Sequence, residues 1–233
     1  MQPMIAVLTG DIIDSTLLSD SERARLNQVM NEGLTTLVGK DHYEIFRGDS
    51  FQILLDTPSL ALKTAIQVRC LLRKSLISDQ LHQNPTSKKA SKANPLQYSY
   101  KREVVDARIS IGLGKTGYKG PNIKTSDGEA FQLSGRALDS LKSKGPRLVV
   151  ATPQEEFNAY MEVICSLLDV FINNWSVQQA EVIYELLEGK KQQEIADMLH
   201  ITQASVSQRI SSAHWQEVEK AVALFQQKTK NLA

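Results

Sequence analysis

Two apolar runs, Tyr43–Arg47 and Phe51–Asp56, are separated only by Gly48-Asp49-Ser50. Three residues can fold a chain back on itself, whereas a crossover between parallel strands needs a dozen or more. The connection therefore forces an antiparallel pair and argues against a continuous doubly wound parallel sheet. Around this hairpin the other elements fall into place. Met4–Ile13, dominated by Ile5, Val7, Leu8, Ile12 and Ile13, reads as a buried strand. Asp20-Ser21-Glu22 opens a helix with Leu26, Val29, Met30, Leu34 and Leu37 on one face, stopped near Gly39. Pro58 starts a second helix with Ala61, Ala65, Val68 and Leu72 as its stripe. Val105–Leu113 alternates as a strand. A third helix runs from Asp127-Gly128-Glu129 through Leu141, and Arg147–Ala151 makes a last strand.

The order β-α-β-β-α-β, followed by α-β, predicts an α+β fold of the split βαβ, ferredoxin-like kind. Helices are expected on one face of the sheet. Between its second helix and fourth strand, residues 78–103 are rich in Gln, Asn, Ser and Lys and read as a long mobile loop. From about Pro153 the chain reads as helical throughout. Phe157, Tyr160, Met161, Ile164, Leu168 and Phe171 form one amphipathic stripe that joins the two parts or pairs with a second copy. The expected division is residues 1–152 for the α+β domain and 153–233 for a linker helix and a helical domain.

Composition narrows the function classes. The 233 residues are 42% hydrophobic and 23% charged with a net charge of +1, ordinary for a globular chain with a core. That balance carries no overall nucleic-acid or membrane-surface signature. No apolar run approaches the roughly 18–20 residues of a membrane span, and no leader is visible, so a cytoplasmic protein with no membrane partner is expected. Cys70 and Cys165 read as buried small hydrophobes, and the four histidines lack metal-ligand spacing.

Two aspartates stand out. Asp11 lies at the end of the first strand and Asp49 in the hairpin; if those strands are neighbours, the carboxylates converge. Facing carboxylates can hold Mg or Mn against a nucleotide triphosphate. The turn Ile12-Ile13-Asp14-Ser15-Thr16 follows Asp11, and backbone N–H groups from Ile13 to Thr16 are candidates to cradle phosphates. Arg47, beside Asp49, is a candidate for a phosphate contact or for an ion pair with that carboxylate. The alternative is that Asp11 and Asp49 are ordinary turn residues, one capping and one closing a hairpin.

These motifs, taken in order, resemble the catalytic domain of class III nucleotidyl cyclases. Asp11-Ile12-Ile13-Asp14-Ser15-Thr16 fits their first metal strand, and Gly48-Asp49 their second metal aspartate. Gly128, Gln132 and Arg136 approximate their Gly-x-x-x-Asn-x-x-x-Arg helix. The combination Gly48–Gln52, Ile111–Gly114 and Asp127–Ala130 with Arg136-Ala137-Leu138-Asp139 looks closer still to the SatD family of bacterial proteins. The resemblance covers roughly residues 4–152. It implies metal at Asp11 and Asp49, and catalytic roles for Arg136 and Gln132 around a nucleotide triphosphate or cyclic nucleotide. The chain departs from the cyclase pattern at Gln132, which replaces an asparagine, and at Ile45, where a base-selecting lysine is common. Lys142, Lys144 and Arg147 are the candidates for a late basic residue.

The C-terminal part carries a second motif. Ser176 through Leu187, Gln192–Leu199 and Gln203–Ala213 read as three helices, with Ile195, Ala196, Leu199, Ile201, Val206 and Ile210 at helix-turn-helix packing positions. The segment resembles region four of sigma factors and LuxR-type DNA-binding domains. Gln203, Ser205, Ser207, Gln208 and Arg209 are then expected to face DNA, glutamine reading adenine and arginine guanine. Ser176–Ala233 holds six Lys and Arg against seven Asp and Glu, so one copy would bind weakly and a homodimer is expected. Three functions stay open: a regulator with a nucleotide-binding input and DNA output, an active metal-dependent nucleotidyl cyclase or nucleotidyltransferase, and an inert interaction protein.

Overall fold

The computed structural model describes residues 3–75, 104–118, 120, 123–141, 145–230 and 232. The 78–103 stretch expected to be a loop lies outside the described residues, and so do Lys142 and Lys144. Five strands form one mixed sheet: β1 (Met4–Ile12), β2 (Tyr43–Phe46), β3 (Ser50–Leu55), β4 (Ala107–Lys115) and β5 (Leu148–Ala151), in the order β2-β3-β1-β4-β5. β1 runs antiparallel to both β3 and β4, β2 antiparallel to β3, and β5 parallel to β4. The hairpin inferred from Gly48-Asp49 is present. Arg47 leaves the expected strand and turns left-handed with Gly48, at φ 52° and 81°. Glycine adopts that conformation freely, whereas arginine does so only where the hairpin requires it.

Register decides which residues meet. Ala6, Leu8, Gly10 and Ile12 face one side of the sheet; Ile5, Val7, Thr9 and Asp11 face the other. On the first side lie α1 (Asp20–Val38) and α2 (Ala61–Ser75), which bury Leu26, Met30, Leu34, Leu62, Ala65, Ile66 and Leu72 in the main core. Ser19 starts α1 with a capping box: its hydroxyl accepts from Glu22 N–H, and the Glu22 carboxylate accepts from Ser19 N–H.

The second side is covered by α3 (Glu129–Ser140), which corrects the expectation of helices on one face only. Ala130 packs with Ile5, Val7 and Leu54, and Ser134 exchanges a 2.9 Å hydrogen bond with Thr9. Gly112 makes this approach possible. A Cβ there would stand 2.2 Å from the Ala130 carbonyl oxygen and 2.6 Å from Ser134 N. The glycines of Ile111–Gly114 thus serve helix-to-sheet docking inside β4.

The remaining helices are α4 (Glu155–Asn173), α5 (Val177–Leu187), α6 (Gln192–Met198), α7 (Gln203–Ser212) and α8 (Trp215–Thr229). They share the main core: Phe157, Met161, Cys165, Ile172, Trp175, Ile183, Leu187, Val218 and Phe225 join the cluster that contains Leu8 and Ile66. α5 has two apolar sides. Ile183, Tyr184 and Leu187 face the main cluster, and Val182 packs in a separate one with Ile195, Ala196 and Val206. Lys74 of α2 sits 3.4 Å over the Tyr184 ring and 3.6 Å from Glu185. The boundary expected near residue 152 is therefore crossed by one continuous core. No helix among the described residues is long and apolar enough to cross a membrane.

A buried polar network stitches this boundary. Arg69, fully buried in α2, donates to both oxygens of Asp106, to Asp169 and to Asn173. Arg73 donates to the carbonyls of Ile172 and Asn173, and Arg147 to Asp106 at 2.8 Å. Asp169 closes the network by accepting from the N–H groups of Arg147 and Leu148. Burial pushes the Asp106 carboxyl up, but the guanidinium groups of Arg69, Arg73 and Arg147 more than offset this and hold it below the usual carboxylate range. Arg147, a candidate for a late basic residue in a nucleotide site, is part of this scaffold. Cys70 and Cys165 are buried as expected, and burial pushes the Cys70 thiol up to about 12.

Candidate functional site

The ends of β1 and β3 converge as the sequence implied. Asp11 pairs with Ser50 across the ladder, and Ile12 N–H donates to the Asp49 carbonyl at 2.8 Å. The two carboxylates nevertheless have separate partners. Arg108 of β4, opposite Asp11 in the register, donates from Nε to Oδ1 at 3.0 Å and from its terminal nitrogen to Oδ2. Its other terminal nitrogen reaches the Leu141 carbonyl at 3.2 Å, so the end of α3 holds the guanidinium in place. Asp49 accepts from Ser15 Oγ at 2.9 Å and more distantly from Ser50 Oγ.

This donor set does not fit a metal clamp. A bidentate guanidinium already neutralises Asp11 and engages both of its oxygens, so a divalent ion there would compete with the charge of Arg108. Asp49 alone supplies one carboxylate, and among the described residues no group of three His, Cys, Asp or Glu side chains gathers to hold an ion. The Mg or Mn expected at Asp11 and Asp49 would thus meet a carboxylate that is already paired with a cation and a second one that is bonded to Ser15. A direct check follows. Mn²⁺ should leave the melting temperature of the native protein unchanged, and Arg108→Met, which frees Asp11, should make it metal-responsive. A native protein already stabilised by Mn²⁺ would show that Arg108 yields its place.

The surrounding turn is arranged for structure. Ile13 N–H donates to the Asp106 carbonyl at 2.9 Å and Ile12 N–H to Asp49, which takes both out of a phosphate cradle. Asp14 is left-handed at φ 52° and leads into a short 3₁₀ turn, Ser15–Leu17, which positions Ser15 on Asp49 and leaves Thr16 exposed. Arg47 is exposed at the hairpin tip. Gln132 and Arg136 are exposed on α3, on the side away from Ala130 and Ser134, and neither side chain reaches Asp11 or Asp49. The structure does not assemble the catalytic set that the cyclase resemblance implied.

The residue missed from sequence is Arg108. Its signal was its place in an alternating strand, but only the ladder register shows that it opposes Asp11.

The second candidate region is α6 and α7. Between them, His200 is left-handed at φ 53°, and Ile201 N–H closes the turn on the Ala196 carbonyl at 3.0 Å. Thr202 caps α7 by accepting from Ser205 N–H at 3.1 Å, and its hydroxyl shares a 2.8 Å hydrogen bond with the Ser205 hydroxyl. Val206 is buried against Val182, Ile195 and Ala196, with Leu199, Ile201 and Ile210 around it. This anchoring turns Gln203, Ala204, Ser207, Gln208 and Ser211 to solvent. Ser205 is half-buried in the cap. Arg209, expected to face outward, bends back to α5, where it lies 3.8 Å from Glu181 and donates to the Gln178 carbonyl at 3.4 Å. It is a strut between α5 and α7, and the exposed polar row consists of Gln203, Ser207, Gln208 and Ser211.

No protein-family model matches the chain, and no curated protein matches it.

Proposed function

We propose that the chain is a DNA-binding regulator in which α6 and α7 form a helix-turn-helix and α7 is the recognition helix. The observation that carries this reading is the division of α7 into a buried anchor at Val206 and an exposed, uncharged hydrogen-bonding row. A recognition helix needs such a row, because glutamine amides can engage adenine bidentately and serine hydroxyls contact bases or phosphates. Lys191 is exposed just before α6, where it is the candidate phosphate contact, beside Lys190, which is ion-paired with Glu185. The strand order and antiparallel pairing of β1 to β4 support a ferredoxin-like reading of the sheet, with β5 added at its edge. In this proposal that domain, whose motifs resemble the SatD family, is the platform on which the reading helices are mounted. The cyclase alternative is disfavoured by the Arg108–Asp11 pair and by the outward placement of Gln132 and Arg136.

The test is fluorescence polarisation of the full chain on DNA fragments over a salt series. Binding is expected with a shallow logarithmic slope, about −2 to −4, as a few phosphate contacts imply. Gln203→Ala and Gln208→Ala should each weaken the preferred sequence by roughly 5- to 150-fold, the range of about 1–3 kcal/mol for a bidentate base contact. Their binding to unrelated DNA should not change. Arg209→Ala should instead act on stability, by no more than about 1 kcal/mol for a partly exposed ion pair. Absence of binding at low salt, or glutamine variants that bind every sequence as the native protein does, would overturn the proposal.

A further inference from the structure

α4 presents two apolar faces, and only one of them is covered. Phe157, Met161, Cys165, Leu168 and Ile172 are buried in the core. On the opposite face Tyr160, Val163, Leu167 and Val170 stand 52%, 62%, 56% and 58% exposed. The steps between them are three, four and three residues, the spacing of a coiled-coil seam. From Val163 to Asn174 the only charged side chain of α4 is Asp169, and that one is buried in the Arg69 network. α8 runs alongside. Its Leu224 is 40% exposed and, with Phe157, Tyr160 and Ile164, lines a groove of about 490 Å³ that has Lys228 on its wall.

We propose that this face is the dimer interface of the protein and that its occupant is the α4 helix of a second copy, packed antiparallel. A 3-4-3 seam is self-complementary about a two-fold axis, which is the symmetry of most homodimers. An axis at the level of Val163 and Leu167 sets Val163 of one copy on Leu167 of the other, and Tyr160 on Val170.

Charge selects the antiparallel sense. A parallel pair would bring the acidic first turns, Glu155 and Glu156, of both copies to the same end. The antiparallel pair separates them and brings Lys228 toward the uncharged C-terminal turn of the partner helix, where the carbonyl end of the helix dipole favours a cation. The exposed area is also adequate. Five large apolar side chains, each 40% exposed or more, form a patch on the order of a few hundred Å², at the size that marks association sites. Two such patches with their groove walls reach about 1,000 Å², the threshold of a specific interface. The inference stands independently of the DNA reading, because its test is association without DNA.

Light scattering of the full chain at micromolar concentration should give twice the mass of one chain. Leu167→Glu should weaken association at least tenfold and yield a monomer with an unchanged circular dichroism spectrum, since Leu167 makes no core contact. Leu17→Glu, at an apolar residue 75% exposed outside the stripe, should remain dimeric. A mixture of Val163→Cys and Leu167→Cys proteins should form the crossed disulfide on mild oxidation, with the buried Cys70 and Cys165 taking no part. A monomeric native protein overturns the proposal, and so does a dimer that survives Leu167→Glu. A dimer that cross-links only between two Val163→Cys copies overturns the antiparallel geometry.

Discussion

Arg69→Met will lower the free energy of unfolding by about 3–5 kcal/mol, the cost of stranding a buried charge by removing its partner. Asp169 loses its guanidinium, Asp106 loses its bidentate partner and keeps Arg147, and Asn173 loses a donor. The loss depends on pH in a direction that identifies its cause. In the native protein the Asp106 carboxyl sits below its ordinary value, so its stabilisation is present above the unfolded pKa of about 3.9 and disappears as pH falls through the folded one. Without Arg69 the first of the charges that oppose burial is gone, and only Arg147 and Arg73 still hold that carboxyl down. The gap between variant and native protein should then be widest near neutral pH and shrink toward pH 4. Adding Asp106→Asn to Arg69→Met should recover part of the loss. Urea titrations at several pH values provide the measurement. A deficit independent of pH would mean that Arg69 acts through packing alone.

Gly112→Ala should destabilise by about 3 kcal/mol, at the upper end of the cost of overpacking, because the new methyl meets backbone atoms that cannot rotate away. For a chain of this length that is a fall in Tm of roughly 6–12 °C. Gly135→Ala, in α3 itself, should do the opposite. A Cβ there meets nothing within 4 Å, and an alanine in a helix interior gains about 0.5–1 kcal/mol over glycine. Opposite signs for one chemical change would establish that Gly112 serves the docking of α3. Equal losses would show that α3 is held by something other than its close approach to β4.

Much of the fold was legible because its signals are local. The Gly48-Asp49 turn dictated an antiparallel hairpin, the α1 capping residues Ser19 and Glu22 lie where its apolar period begins, and the Val206 and Ala196 positions predicted how α6 and α7 pack. What escaped depends on register and on contacts remote in sequence. The strand ends that carry Asp11 and Asp49 are neighbours, yet the partner of Asp11 is set by which β4 residue lies opposite it in the register. Gly112 and Gly114 signal close approach, but a strand with small residues does not say which helix approaches. Arg69 and Arg73 sit one turn apart in a helix that the structure buries on nearly every side, but the sequence of α2 also carries Lys63, Gln67 and Lys74, and the acceptors of Arg69 lie as far away as Asp169. Arg209 could be assigned to an exposed face until Glu181, on a different helix, supplied the charge that draws it back.

The two apolar sides of α5 have one more consequence. A recognition module on a flexible tether would find its site by independent diffusion, and its fold would be indifferent to the sheet. Here the helix that seats Val206 is also packed against α2, so the orientation of α7 is inherited from the sheet domain. In the DNA-binding reading proposed above, the angle at which α7 meets a duplex is therefore built into the packing of the sheet domain.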